Sequence, residues 1–594
     1  MLSRTNNAGV PTQARTMLLL AIMTVAVFSP VLLHGFVGDD LAFIVYNRFY
    51  DIPSHIPHLW DEKYLTRGHD VLFGNTVNFS SGSVSYRPVL SATFFMDRWL
   101  WSRQPFGYHL HNLILHVWNV LLVFMLILKL SRDHQAAFFG AALFALHPTK
   151  AEAVAVVGYR ADLLAGLLML GAFLSVVYAL EGKVKMRAGL WPFSLGLYAL
   201  ALFTKESALA FPALLAGYFF LFDRRRHTVP SYYWAGTVLV TVFYLYVYFF
   251  VFPNTTLAQL KIKPGAGLHL AQVLEIFYFH VQSLFCPWSV KIIPGAYRFP
   301  GNAGSLVHAV WGIMIMILLS SALFRTSRAK PAAGFFVFWF LAAYLPVSHL
   351  IPLVNPVAHR YLYVPSMGLL AAFALWAEGF CQKIGEPGVR WRRWKRVAQA
   401  GFLLACVLKL GGLNAAWKND LVLAKALIKA YPHHRAGYQS LGMVAYQQGD
   451  CPTAVRALQQ SVLLGARDPR VFTFLGYCLT AEPDKAEFFF REAIKEYPRF
   501  HLPYKGMGEI MLAQGNLGQA LWYAQENMRL LRAPRVSDYD LLIAVYRARE
   551  EAEKAAEITV EKERRFPSGG KEAGRSPVRK PGGVVREIPL GSHD

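Results

Sequence analysis

Long apolar blocks recur along the first 413 residues of this 594-residue chain, and they limit its fold more than any other feature. Hydrophobic residues make up 55% of the chain and charged residues only 16%, which is too apolar for a soluble protein of this size. A helix of about 20 apolar residues spans a bilayer. The sequence therefore predicts an all-α, polytopic membrane helix bundle over residues 1–413.

We predict about eleven crossings, near residues 17–34, 108–128, 136–147, 162–180, 188–203, 207–222, 232–252, 305–324, 333–352, 361–380 and 397–413. The formal net charge of +23 comes largely from short basic linkers between these blocks, which orient membrane proteins and do not indicate nucleic acid. The linkers fall on one side if residues 270–290 lie at the surface within a long outer loop, 253–304. We therefore expect an uncleaved, cytoplasmic N-terminus and an extracytoplasmic C-terminus.

Two adjacent acids, Asp39 and Asp40, follow the first apolar block and begin the first outer loop, residues 36–106. Neighbouring carboxylates repel each other and are costly to desolvate, so they need a cation, a donor network or a proton. They are the candidate catalytic pair. Two acids could also bind a divalent cation, but no third acidic ligand stands at a suitable spacing, so the sequence leaves metal dependence open.

More ionisable residues stand at predicted helix ends on the same face: Arg87, His147, Lys150, Glu152, Arg160, Asp162, Lys205, Glu206, His359 and Arg360. Each pair taken alone is more often a structural salt bridge or a membrane anchor. Their convergence on one face favours a site, because guanidinium groups can hold a phosphate at the lipid boundary while a carboxylate removes a proton. The histidines at 109, 111 and 116 are predicted to pack between helices.

The composition changes after residue 413 to that of a soluble helical domain. Gly442, Gly476 and Gly508 recur at spacings of 34 and 32 residues within similar surroundings. Such a period predicts a tetratricopeptide-repeat α-solenoid over residues 414–565, whose concave surface takes a protein or peptide partner. We expect a disordered basic tail over residues 566–594. Cys451 and Cys478 could form a bridge outside the cytoplasm, but two free thiols are the favoured interpretation.

The chain resembles the transmembrane and tetratricopeptide-repeat-containing O-mannosyltransferase-like proteins, a group of the GT-C glycosyltransferases. The motifs that carry the resemblance recur in order over residues 15–565: Phe36-Val37-Gly38-Asp39-Asp40, Tyr86-Arg87-Pro88, Pro105-Phe106-Gly107-Tyr108-His109, Ala145-Leu146-His147-Pro148, Gly158-Tyr159-Arg160-Ala161-Asp162-Leu163, Thr204-Lys205-Glu206 and His359-Arg360-Tyr361-Leu362-Tyr363-Val364-Pro365-Ser366. The chain departs from the family pattern at Gly38, where an aromatic residue is usual, and at His359, where an acid is expected.

The resemblance implies an inverting transfer of mannose or a similar hexose from a polyprenyl-phosphate carrier to an extracytoplasmic Ser or Thr hydroxyl. It places Asp39 and Asp40 at the catalytic position, and we favour Asp39 as the base. The candidates for binding the lipid phosphate are Arg87, Lys150, Arg160 and Arg360. His147, Glu152, Asp162, Lys205, Glu206 and His359 would support them. We expect an integral protein of a bacterial inner membrane.

Two other functions are compatible with the sequence. A non-catalytic membrane scaffold would use the repeats to assemble an envelope or secretion complex. A lipid-linked saccharide ligase would share the outer-face chemistry but act on glycans. Replacement of both Asp39 and Asp40 separates the first of these from a transferase, because a scaffold should tolerate the change.

Overall fold

The computed structural model describes residues 10–61, 86–181, 184–222, 229–252, 266–293, 303–353, 355–383, 389–531 and 534–566. These residues form helices, turns and loops with no strand among them, so the all-α fold class is confirmed. The chain divides into two compact units, one reaching Asn419 and the other beginning at Asp420. The predicted boundary, after residue 413, lies six residues before the observed one. The basic cluster 224–226 and the tail after Phe566 lie outside the described residues.

The helices of the membrane unit follow one another with short turns between most of them. They are α1 (Val10–Phe28), α2 (Pro88–Trp101), α3 (Pro105–Ser131), α4 (His134–Leu146), α5 (Ala151–Ala155), α6 (Arg160–Glu181), α7 (Val184–Leu202), α8 (Phe211–Leu221), α9 (Ser231–Tyr246), α10 (Ala266–Phe285), α11 (Ala303–Ala329), α12 (Pro331–Tyr344), α13 (Tyr363–Lys383) and α14 (Val389–Ala416). Residues 36–61 form a series of short 3-10 and π turns before α2.

Each predicted crossing coincides with an apolar helix. Seven of these helices are long and apolar enough to cross a bilayer: Thr12–Leu33, Pro105–Ser131, Val157–Glu181, Ser231–Val251, Gly304–Thr326, His359–Gly379 and Arg393–Ala416. Four are shorter: His134–Leu146, Ala188–Leu202, Glu206–Leu221 and Pro331–Val347. The chain is therefore an integral membrane protein, and the number of crossings stays a prediction.

Burial separates central from peripheral helices. In His359–Gly379, 83% of the most apolar stretch is buried inside the protein, and in Val157–Glu181 the share is 67%. In Ser231–Val251 and Gly304–Thr326 it is only 17%. Helices α6 and α13 therefore form the centre of the bundle, whereas α9 and α11 turn apolar side chains outward, as lipid-facing helices do.

The two ends of the membrane unit carry different polar groups. At one end, Lys129 after the middle of α3 pairs with Glu181 at the end of α6, and Lys395 of α14 pairs with Glu378 of α13. Helix α6 begins at the opposite end, beside Asp39 and Asp40. The backbone N–H of Gly35 there donates to the carbonyl of Lys418 at 3.0 Å, so the chain leaves the membrane unit at the end that holds the acid pair.

The first and the last turn of helix α10 both contact the end of the membrane unit that holds the acid pair. His269 Nε2 lies 3.3 Å from the carbonyl oxygen of Leu350, which follows α12. At the other end of α10, the carbonyl oxygen of Leu284 lies 3.1 Å from His147 Nε2, directly after α4. This placement favours the surface helix predicted for residues 270–290 over a further crossing.

The C-terminal unit is a series of short antiparallel helices: α15 (Asp420–Ala430), α16 (Arg435–Gln447), α17 (Cys451–Leu463), α18 (Pro469–Cys478), α19 (Pro483–Glu496), α20 (His501–Ala513), α21 (Leu517–Leu530), α22 (Val536–Ala548) and α23 (Ala552–Arg565). Two of the three recurring glycines are close-contact positions within a helix pair, and the third, Gly508, is closest to Leu541 of α22. A Cβ atom at Gly442 would lie 2.5 Å from the Leu458 side chain, and one at Gly476 would lie 2.6 Å from Phe490. This pairing accounts for the repeat spacing, and the tetratricopeptide assignment stays a prediction.

A disulfide joins Cys451 at the start of α17 to Cys478 at the end of α18, with the two Cα atoms 5.2 Å apart. The prediction of two free thiols was therefore wrong. The error arose because the two cysteines are 27 positions apart, and only the antiparallel pairing of successive helices brings these particular helix ends together. Cys286 and Cys406 are free.

Candidate active site

The acid pair stands on a tight turn. Gly38 has φ +58°, a left-handed conformation that glycine adopts without steric cost. The turn separates the two carboxylates into different environments. Asp40 is fully buried, whereas Asp39 is half-buried.

The Asp40 carboxylate is held by three backbone N–H groups. Gly158 donates to Oδ1 at 2.6 Å, and Val157 and Val37 each donate to Oδ2 at 3.2 Å. Burial raises the pKa of Asp40 to about 7; the three N–H groups oppose this rise and the charge of Asp39 adds to it. The three backbone N–H groups therefore hold the Asp40 side chain in one place.

Asp39 is linked to a cation through an aromatic residue. The Tyr159 hydroxyl donates to Asp39 Oδ2 at 3.4 Å, and the guanidinium carbon of Arg360 lies 4.0 Å from the centre of the Tyr159 ring. Arg360 in turn pairs with Glu152, whose second oxygen accepts the Arg360 backbone N–H at 3.0 Å. The acid pair and Arg360, more than 300 positions apart in sequence, thus share one site.

A second group of charges adjoins Arg360. Lys205 pairs with Asp162, and its Nζ lies 5.6 Å from the centre of the Tyr361 ring. The Arg360 guanidinium carbon lies 5.1 Å from the centre of the same ring. Burial lowers the pKa of Lys205, and the charge of Asp162 opposes that change.

Arg87 makes a two-pronged ion pair with Glu206, at 2.8 and 2.9 Å to the two carboxylate oxygens. Glu206 is the more exposed partner, with 41% of its side-chain surface accessible. Lys205 precedes Glu206 in the chain, so the two ion pairs are neighbours. Because Glu206 faces solvent, a phosphate could replace it at the Arg87 guanidinium.

Arg160 differs from the other candidates because its guanidinium nitrogens already have acceptors within the protein. The guanidinium contacts Asp97 at 2.6 Å, the Asn112 side chain at 2.7 Å, the Thr93 hydroxyl at 3.1 Å and the Tyr108 carbonyl at 2.9 Å. The side chain is 1% exposed. This geometry favours a role in joining α2, α3 and α6 over the predicted contact with lipid phosphate.

Lys150 is also fully buried. Its amine donates to the Ser366 hydroxyl and lies 4.7 and 5.4 Å from the ring centres of Phe144 and Tyr363. Within the described residues no carboxylate lies within ion-pair distance of it, and burial lowers its pKa well below the usual range. An enclosed amine with no carboxylate beside it suits packing between α4 and α13 better than phosphate binding.

The two histidines at helix ends are structural contacts here. His147 accepts the Thr149 backbone N–H at 3.3 Å and so caps the turn before α5. His359 stacks on Phe279, with ring centres 5.5 Å apart, and its Nε2 lies 3.1 Å from the Lys291 carbonyl oxygen. The acid beside Arg360 is Glu152 and not the neighbouring position 359.

Sequence reasoning missed Tyr159. It stands in the quoted stretch Gly158-Tyr159-Arg160, but an aromatic residue at a helix start is usual at a membrane boundary, so nothing separated it from an anchor. Among the described residues, no group of three His, Cys, Asp or Glu side chains is placed to hold a metal ion.

Comparison with known proteins supports the resemblance. No protein-family model matches the chain. The protein O-mannosyl-transferase Tmtc3 of Drosophila melanogaster is 25% identical over 509 residues, covering 73% of this chain and 53% of the fly protein. Human TMTC3 is 24% identical, covering 72% of this chain and 49% of the human protein, and human TMTC4 is 24% identical, covering 71% and 62%. The chain is thus a distant relative of these proteins. It spans about half the length of the curated relatives it matches.

Proposed function

We propose that the chain is a glycosyltransferase that acts on proteins. It moves a sugar, mannose or a similar hexose, from a polyprenyl-phosphate carrier to a Ser or Thr hydroxyl with inversion. The similarity to protein O-mannosyl-transferases supports the reaction class. The donor, the inversion and the sugar are what the resemblance to this family implies, and an acid with cations at a lipid boundary suits such a transfer.

One observation carries the proposal: the half-exposed Asp39 and the cation Arg360 contact the same side chain, Tyr159. Transfer from a phosphate needs a base for the acceptor hydroxyl and a positive charge for the departing phosphate. Asp40, held by three backbone donors, keeps the turn in place and leaves Asp39 to meet the acceptor.

In the proposed reaction, Asp39 takes the proton from the acceptor hydroxyl as its oxygen attacks the anomeric carbon. A carbon–oxygen bond forms on the face opposite the carrier, the bond from the anomeric carbon to the phosphate oxygen breaks, and polyprenyl phosphate leaves. Arg360, Arg87 and Lys205 stabilise the charge on that phosphate. Glu152, Glu206 and Asp162 hold these cations in position before the donor binds.

We place the acid end outside the cytoplasm, in a bacterial inner membrane. The Lys129 and Lys395 pairs lie at the opposite end, as expected for a cytoplasmic face. The chain leaves the membrane unit at the acid end, at Lys418. The Cys451–Cys478 disulfide supports an oxidising compartment for the C-terminal unit.

We further propose that the C-terminal helical pairs bind the protein acceptor. Aromatic side chains line α16 and α18, the first helices of two successive pairs. The Tyr446 and Phe474 rings stack with centres 4.5 Å apart, and the Tyr477 ring centre lies 6.3 Å from that of Tyr446. These three rings are partly buried, and their accessible parts would suit an extended peptide segment, which solenoids commonly bind.

The test is transfer by the purified full-length protein in detergent. It would be given radiolabelled undecaprenyl-phosphate mannose and extracytoplasmic proteins from cells that lack the gene. We expect label on protein, a product with the opposite anomeric configuration to the donor, and a loss of at least about 100-fold in Asp39→Asn. Label on a surface glycan and not on protein would favour a ligase. Normal cellular function of Asp39→Asn would favour a scaffold.

A further inference from the structure

A single turn contacts both acids. The backbone N–H groups of Val157 and Gly158 donate to Asp40, and the next residue, Tyr159, donates through its hydroxyl to Asp39. The turn spans Val157–Tyr159 and leads directly into the central helix α6, so it is firmly placed.

The contact with Asp40 leaves little room for a side chain at position 158. A Cβ atom there would lie 3.1 Å from Asp40 Oδ1 and 3.1 Å from the Phe43 ring, which is tighter than ordinary van der Waals contact. The close approach of the backbone sets the depth of Asp40, and it brings the side chain of the next residue against Asp39.

Tyr159 has a second contact through its ring. The Arg360 guanidinium lies over the ring face at 4.0 Å, within the range of a cation–π interaction. The planar guanidinium thereby keeps a defined orientation, with one edge toward Glu152. Tyr159 is half-buried, so its contacts with Asp39 and Arg360 lie at the rim of the site.

We propose that Tyr159 is a positioning residue with two separable functions, one carried by its hydroxyl and one by its ring. The hydroxyl donates to Asp39 Oδ2 and so holds the orientation of the carboxylate that takes the proton. The ring holds Arg360 where the phosphate of the carrier departs. This inference rests on the proposed function, because it assigns Asp39 to the acceptor and Arg360 to the donor.

Two substitutions separate the functions. Tyr159→Phe keeps the ring and removes the hydroxyl, so we expect kcat to fall about tenfold while KM for the donor stays within about twofold. Tyr159→Leu removes both, so we expect the same fall in kcat and, in addition, a rise of about tenfold in the donor KM. A residue that only stabilised the fold would not divide its effects between kcat and KM in this way.

Binding provides a readout that does not need turnover. Undecaprenyl phosphate in detergent should bind Tyr159→Phe as it binds the unsubstituted protein, and should bind Tyr159→Leu about tenfold more weakly. The matched control is Tyr50→Phe, which removes a buried hydroxyl bonded to Ser91 at 3.3 Å and touches neither acid. Thermal unfolding of each variant checks that the fold is intact.

The outcomes are distinct. Equal kcat and KM values for Tyr159→Phe and Tyr159→Leu, or equal phosphate binding, would overturn the two-function assignment. Unchanged kinetics of Tyr159→Phe together with an inactive Asp39→Asn would overturn the positioning role and leave the transferase intact. Full activity of Asp39→Asn would instead overturn the proposed function.

Discussion

The carboxylate of Asp40 accepts a hydrogen bond from the backbone N–H of Gly158 at 2.6 Å, although the two residues are 118 positions apart. This contact fixes the turn after the first membrane helix against the start of the central helix α6. It also gives the two acids different surroundings, because Asp40 is buried and bonded to the backbone whereas Asp39 is only partly buried. The half-exposed Asp39 is left to meet a substrate.

We expect Asp39→Asn to reduce activity and Asp40→Asn to reduce stability. Asp39→Asn should lose transfer activity by at least about 100-fold with little change in melting temperature. Asp40→Asn should lower the melting temperature, because an amide NH₂ group cannot accept the two N–H groups that now donate to Oδ2. Transfer assays and thermal unfolding at pH 6 check both, and similar effects of the two substitutions would contradict the division.

The stability of the protein should depend on pH through the titration of Asp40. Its pKa is raised from 3.8 to about 7 by burial, so the folded protein binds this proton more tightly than the unfolded chain. The cost of the buried charge is therefore absent below about pH 4, grows as the pH rises, and is complete above about pH 7. The melting-temperature deficit of Asp40→Asn should be larger at pH 5.5 than at pH 8; a deficit independent of pH would contradict this.

Arg160 and Arg360 should respond differently to replacement by lysine. Arg160→Lys breaks a buried network of ion-pair and hydrogen-bond contacts and should cost about 3 kcal/mol of stability. Arg360→Lys keeps a charge beside Glu152, so it should lower the melting temperature less than Arg160→Lys does. It should also raise the KM for the lipid donor, because a lysine cannot present the same planar fork to a phosphate. Thermal unfolding and donor kinetics on both variants provide the comparison, each serving as the control of the other.

Gly158→Ala should impair the acid pair. The added methyl group presses on Asp40 Oδ1 and Phe43, so we expect lower activity and a lower melting temperature. Gly196→Ala is the matched control, because a Cβ atom at that position in α7 meets nothing within 4 Å and alanine is favoured in helices. Equal activity and melting temperature in the two variants would show that the turn at Val157–Tyr159 can move without harm and would contradict this prediction.

Much of this protein was determined by local sequence signals. Apolar blocks predicted each helix of the membrane core, because the length of a hydrophobic segment and the thickness of a bilayer are matched quantities. The glycine spacing predicted paired helices after residue 413. The acids and cations at helix ends were predicted to converge on one face, and Asp39, Arg360 and Lys205 lie close together there.

Only the tertiary structure decided which partner each charge has. Arg160 and Arg360 look alike in sequence, yet Asp97, Asn112 and Thr93 enclose the first, while Glu152 and Tyr159 flank the second. The disulfide and the burial of Lys150 likewise depend on partners far away in the chain. Hydropathy and spacing are local properties, whereas the partner of a buried polar group is set by how distant helices pack. Sequence therefore gave the candidates, and packing assigned their roles.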